Sequence, residues 1–128
     1  MANKLYTLGY KSWSFYDFLA KVEELSAIVI DVRFSPKSYI SFWDKKHLLN
    51  SLKENYLHVP ALGNKNYYDL SKPIEIADIE NGSRIVIEQL DSGVDCLLLC
   101  ACEEVEECHR KIVSEFIQGK TGCEIIDL

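Results

Sequence analysis

The 128-residue chain has no apolar run near the roughly 20 residues that a membrane-spanning helix needs; its longest uncharged apolar run is Cys96 to Cys102. Met1-Ala2-Asn3-Lys4 leads into no apolar signal core, so a soluble, cytoplasmic protein with no membrane partner is expected. Basic charge is also in short supply. Fourteen Lys and Arg stand against twenty Asp and Glu, a net charge of -6 with a pI near 5.0. That balance repels a phosphate backbone and argues against broad nucleic-acid binding, while leaving room for a local basic pocket. Only three prolines and six glycines interrupt a chain that is 48% hydrophobic and 27% charged, an ordinary globular balance that does not suit disorder, collagen-like repeats or coiled coil. No internal repeat, low-complexity tract or linker divides the sequence, and its length suits one domain over residues 1–128.

Cysteine, in contrast, is plentiful. The count of five is odd, and Cys96, Cys100, Cys102 and Cys108 crowd together with too little chain between them for a disulfide framework. Reduced thiols in a reducing compartment are expected.

The apolar period alternates between strand-like and helix-like about every twenty residues, the sign of βαβ units on a mostly parallel sheet. Five strands are predicted: Leu5 to Leu8, Ala27 to Ile30, Tyr56 to Val59, Asp95 to Cys100 and Cys123 to Ile126. Ala27-Ile28-Val29-Ile30 and Cys96-Leu97-Leu98-Leu99-Cys100 lack polar alternation, as expected for strands buried on both faces, and the second reads as central. Ser14 followed by Asp17 begins a helix with Phe15, Phe18, Leu19 and Val22 on one face. A second helix is predicted from about Asp44 to Lys53. From Ile74 to Leu90 the pattern is helical but interrupted at Asn81-Gly82, so one kinked helix and two short ones fit equally. The last helix carries Val105, Cys108, His109, Ile112, Val113, Phe116 and Ile117 at helical spacing toward a stop at Gly119. Residues 61–73 are irregular, a loop beside whatever site exists. The expected fold is therefore a three-layer α/β domain, a mostly parallel five-stranded sheet with helices on both faces, Rossmann-like or flavodoxin-like in organisation.

In such sheets the ligand crevice lies beyond the carboxyl ends of the strands. The residues predicted there are Gly9, Tyr10, Asp31, Arg33, Ser35, His58, Cys100, Cys102, Cys108, His109 and Arg110. His109-Arg110-Lys111 near a helix start points to an anionic ligand, because cations there are unfavourable in the free protein; the inference weakens if the helix begins at Glu103. Packed helix residues and a solvated arginine explain the same segment equally well. Cys100, Cys102, Cys108 and His109 also offer soft ligands within ten positions, a zinc or iron–sulfur pattern of unusual spacing. Alternatively, Cys100 is a nucleophile whose thiolate is favoured by neighbouring Arg33, His58 or His109. Its strand-loop-helix setting resembles rhodaneses and tyrosine phosphatases, although neither the Cys100 nor the Cys102 spacing to Arg110 matches their anion-wrapping loop. Arg33 either forks onto a phosphate or carboxylate or pairs with Asp31. His58 is a base or a hydrogen-bonded core-edge histidine. Tyr39, Phe42, Trp43, Tyr67 and Tyr68 either stack on a base or sugar or pack two loops together.

In order along the chain, Tyr6-Thr7-Leu8-Gly9-Tyr10 with Ser14 and Phe18, Val29-Ile30-Asp31-Val32-Arg33 with Ser35-Pro36, Phe42, Tyr56-Leu57-His58-Val59-Pro60 with Leu62-Gly63, and Leu98-Leu99-Cys100 with Cys108-His109-Arg110 resemble the motifs of the uncharacterised family numbered 488 among the domains of unknown function. The family pattern usually has histidine where this chain has Tyr10 and often glutamate where it has Cys102. The resemblance implies an α/β sheet protein and no particular reaction or cofactor.

The resulting expectation is a small enzyme or ligand-binding domain with a cleft for a small anionic ligand, phosphorylated or nucleotide-like. Arg33, Arg110, Gly9, Tyr10 and Ser35 would bind it, and Cys100, His109 and His58 would be catalytic. The alternative is a non-catalytic metal-binding or partner-binding module built on Cys100, Cys102, Cys108 and His109.

Overall fold

A computed structural model describes residues 3–38, 40–69, 71–102, 105 and 108–128. The elements are β1 (Lys4–Gly9), α1 (Phe15–Leu25), β2 (Ile28–Asp31), α2 (Lys45–Leu52), β3 (Tyr56–His58), α3 (Ile79–Asp91), β4 (Cys96–Cys100), α4 (His109–Thr121) and β5 (Glu124–Asp127). The five strands form one all-parallel sheet in the order β3-β2-β4-β1-β5. The three-layer architecture is that expected. The order places β4 between β1 and β2, whereas the common doubly-wound orders keep β1 and β2 adjacent.

Strand alternation splits the core in two. On one face Tyr6, Leu8, Val29, Tyr56, Leu97 and Leu99 pack against Phe15, Phe18 and Val22 of α1 and Leu48 of α2. On the other, Leu5, Ile30, Cys96, Leu98 and Cys100 meet Val86 and Leu90 of α3 and Val113 and Ile117 of α4. β4 is buried along its whole length. The continuous apolar run in its sequence follows from having helices on both sides.

Helix starts follow from local chemistry. The Ser14 side chain accepts from the Asp17 N–H at 3.1 Å, a cap of about 1 kcal/mol. Asp78 does the same for Asn81, so α3 begins at Ile79 and runs unbroken. The Asn81-Gly82 pair that reads as an interruption lies in its first turn, where Gly82 lets the backbone close on Leu62. The last helix also differs from expectation. It begins at His109, with Cys108 as its N-cap, and passes through Gly119 to end at Gly122, whose φ of 72° supplies the left-handed cap.

The order of strands creates the site. After β1 and β2 the chain turns to α1 and α2 on one face, while after the intervening β4 it turns to α4 on the other. Successive connections therefore diverge at the carboxyl end of β4, which opens the sheet edge there. No helix among the described residues is long and apolar enough to cross a membrane.

Candidate functional site: a cysteine cluster at the carboxyl edge of the sheet

Gly9, Asp31, His58 and Cys100 end β1, β2, β3 and β4, and register pairs Gly9 with Cys100 and Asp31 with both Leu99 and His58. The parallel sheet thus brings the predicted strand-end residues to one edge. They divide into two groups on opposite faces of it.

The first group surrounds Asp31, which is completely buried. Its carboxylate accepts from Arg33 Nε at 2.8 Å, Arg33 Nη2 at 2.6 Å and the Tyr56 hydroxyl at 2.6 Å. Arg33 is only 6% exposed, and it also donates to the Tyr10 hydroxyl at 3.4 Å and lies 5.4 Å over the Tyr10 ring. Burial works against the guanidinium's charge, but the Asp31 carboxylate overrides it and holds Arg33 firmly cationic. Burial, reinforced by the Asp31 charge, pushes the Tyr56 phenol above its ordinary range. The two readings of Arg33 are thereby separated: its fork is on Asp31. Arg33 stands in a buried ion pair with Asp31, the second of the two expected arrangements. Tyr10 stacks on Trp43 with ring centroids 4.4 Å apart, so its ring extends the α1 and α2 core. His58 Nε2 meets the Arg33 carbonyl at 2.8 Å, and Ser35 is half-buried in the following loop.

The second group is built on sulfur. Cys102 and Cys108 are joined by a disulfide, their Cα atoms 6.0 Å apart. The expectation of reduced thiols throughout is corrected: Cys96, Cys100 and Cys123 are free and buried. A Cα separation of 6.0 Å is within the range that a disulfide spans. Cys100 Sγ lies 2.8 Å from Cys108 Sγ and 3.1 Å from Cys102 Sγ, so the three sulfurs form one cluster. Cys102 is half-buried, while Cys100 is 1% exposed and Cys108 buried. Burial pushes the Cys100 thiol up, and the Arg110 guanidinium partly opposes that.

His109 and Arg110 complete the cluster. His109 Nε2 sits 2.7 Å from the Val32 carbonyl and Nδ1 3.7 Å from Cys108 Sγ. Burial lowers the pKa of the imidazole. A neutral ring that donates from Nε2 to Val32 presents a bare lone pair at Nδ1 toward the sulfur. Arg110, 2% exposed, donates from Nη1 to the Cys102 carbonyl at 2.8 Å and to Cys100 Sγ at 3.1 Å, and from Nε to Thr7 Oγ1 at 3.4 Å. Thr7 in turn donates to Asp127. Gly9 is obligatory for this packing: a Cβ there would fall 1.4 Å from the Cys102 carbonyl oxygen and 2.6 Å from Arg110 Nη1.

Sequence reasoning named most of these residues and missed Thr7 and Tyr56, which read as ordinary strand residues. Their partners, Arg110 and Asp31, are remote in the chain. The aromatic residues fall into two sets: Phe42 and Trp43 pack with Phe15, while Tyr67 meets Phe34 and Tyr68. Tyr39 and the four glutamates between Cys102 and Cys108 lie outside the described residues.

A family model described as the domain of unknown function DUF488 matches residues 13–117, most of the chain, including β4 and the Cys108-His109-Arg110 segment. The chain belongs to the DUF488 family. The match begins after β1, so Gly9, which packs on the cluster, and Tyr10, which accepts from Arg33, fall outside it. Among curated proteins no relative is found. The DUF488 assignment supplies a fold and a set of motifs and leaves the chemistry to the site itself.

Proposed function

We propose that this DUF488 protein is a thiol–disulfide exchange protein whose working group is the Cys102–Cys108 pair, with Cys100 as an internal third thiol. One observation carries the reading: the Cys100 sulfur lies within 3.1 Å of both sulfurs of a disulfide whose Cys102 end is half-buried, within reach of a partner. A partner dithiol attacks Cys102 Sγ through one thiolate, forming a mixed disulfide and releasing Cys108 as the thiolate. The partner's second thiolate then displaces Cys102, leaving the protein as the dithiol and the partner as the disulfide, a two-electron exchange that needs no other reactant. Cys108 is released at the N-cap position of α4, where the helix's positive end favours a thiolate. Attack by Cys100 on Cys108 would move the bond to Cys100–Cys108 and free Cys102, with no net redox change. A cytoplasmic location belongs to this reading, since a reducing compartment lets the pair cycle.

The test is a thiol count by alkylation and mass spectrometry. Oxidised protein, alkylated after unfolding, is expected to show three reactive cysteines, and protein held with a small dithiol while folded is expected to show all five. Titration against a dithiol/disulfide couple should give a reversible midpoint. Cys102→Ser should abolish the mixed disulfide, whereas Cys123→Ser should preserve it. A pair that stays closed until the chain unfolds, or never forms in air, overturns the reading.

A second reading, a small anionic ligand at the start of α4, is favoured by the first turn His109-Arg110-Lys111, which contains no acidic residue. Its support would be a melting temperature that rises with phosphate at fixed ionic strength.

A further inference from the structure

We propose that, once the Cys102–Cys108 bond is opened, the chain binds one thiophilic divalent cation, of which zinc is the type, through Cys100 Sγ, Cys102 Sγ, Cys108 Sγ and His109 Nδ1. The proposal rests on the exchange reading only in requiring that the bond can be reduced in the folded protein; it requires no catalysis.

The geometry gathers three sulfur ligands within 4.8 Å of one another and sets His109 beside one of them, Cys108, as the fourth. Zinc bonds of about 2.3 Å to sulfur and 2.0 Å to nitrogen in a tetrahedral site put ligand sulfurs roughly 3.8 Å apart and a sulfur and a nitrogen roughly 3.6 Å apart. Cys108 Sγ and His109 Nδ1 are already 3.7 Å apart. Cys100 Sγ, at 2.8 Å from Cys108 Sγ and 3.1 Å from Cys102 Sγ, needs to separate by about 1 Å or less from each, and the opened Cys102 and Cys108 sulfurs by about 1.7 Å from one another, which side-chain rotation supplies. The ligands are held by unlike elements: Cys100 ends the central strand, Cys102 follows it, and Cys108 and His109 open α4.

The surroundings suit a cation better than they suit packed thiols. Metal-binding histidines commonly fix one ring nitrogen on a carbonyl or carboxylate so that the other faces the metal, and the Val32 carbonyl holds His109 Nε2 in that way at 2.7 Å. Three thiolates and a divalent cation leave one net negative charge. The buried Arg110 guanidinium, 3.1 Å from Cys100 Sγ, is placed to balance it. Cys102 and His109 are half-buried, which provides an entry path. A soft donor set of three sulfurs and one imidazole selects zinc or cobalt over magnesium or calcium.

The experiment is a cobalt titration of the full chain, reduced under anaerobic conditions and freed of reductant, with the thiol count taken on the same sample. The expected result is intense visible bands of tetrahedral cobalt with near-ultraviolet sulfur-to-cobalt charge transfer, saturating at one cobalt per chain and erased by one equivalent of zinc. Cys100→Ser should weaken binding at least tenfold, and His109→Gln should change the visible bands while retaining charge transfer. Cys123→Ser should bind like wild type. If Cys100→Ser does not fold, judged by circular dichroism, Cys102→Ser provides the same cobalt readout from a less buried position. A sample with five free thiols and no stoichiometric cobalt spectrum overturns the metal proposal and leaves the exchange reading standing. A folded sample that never shows more than three thiols overturns the exchange reading, and the metal proposal with it. Charge transfer that survives Cys100→Ser at full strength overturns the assignment of Cys100 as a ligand.

Discussion

Replacing Arg33 by methionine removes a guanidinium from a site where its partner cannot escape. Asp31 is completely buried, and its carboxylate takes two bonds from the Arg33 side chain and a third from the Tyr56 hydroxyl. Methionine retains the aliphatic contacts of the stem, so the loss is mainly electrostatic. Removing one member of a buried, hydrogen-bonded charge pair costs roughly 3–5 kcal/mol, because the remaining charge stays desolvated and uncompensated. For a domain of this size that corresponds to a melting temperature lower by roughly 10–25 °C. Urea unfolding at neutral pH, followed by far-ultraviolet circular dichroism, measures the change directly. The double variant Asp31→Asn with Arg33→Met should recover part of the loss, giving a coupling of at least about 1 kcal/mol between the two positions. An Arg33→Met protein within about 1 kcal/mol of wild type would refute the reasoning. It would mean that the pair behaves like a solvated one and that Arg33 is available to a ligand after all.

Gly9→Ala should be strongly destabilising, or should force the segment after β4 away from β1, because its Cβ would collide with the Cys102 carbonyl. In protein that remains folded, faster alkylation of Cys100 would report the displacement, and an unchanged melting temperature would contradict the packing. Stability should also fall on the alkaline side. Burial pushes Cys96 up to about 12 and raises Tyr56 above its ordinary value, so the unfolded chain releases these protons first and gains as pH rises past about 9. Tyr56→Phe should flatten the part of that decline beyond about pH 10, the ordinary phenol value, and an unchanged slope would count against the burial of the phenol.

What the sequence determined by itself was the local pattern. Hydrophobic period and helix-capping residues depend on neighbours a few positions apart, and they located five strands, the helical segments and the mostly parallel sheet from the amino-acid order alone. Placing Gly9, Arg33, His58 and Cys100 at strand ends followed from the same reading, since a parallel sheet points every carboxyl end the same way. Helix boundaries were less legible where two signals compete. Asn81-Gly82 reads as a break but serves a helix start, and Gly119 reads as a stop although Gly122 provides it.

The tertiary structure alone decided what each charged or reactive side chain faces. Arg33 was legible as either a ligand clamp or an ion pair, and only the fold of β2 beside β3 put Asp31 and Tyr56 around it. The cysteines were legible as a crowd, but their pairing depends on how the end of β4 and the start of α4 sit in space. Gly9 of β1 leaves room there for the Cys102 carbonyl and Arg110. Periodicity carries no information about such contacts, because they join residues whose separation along the chain has no bearing on the interval between them in space.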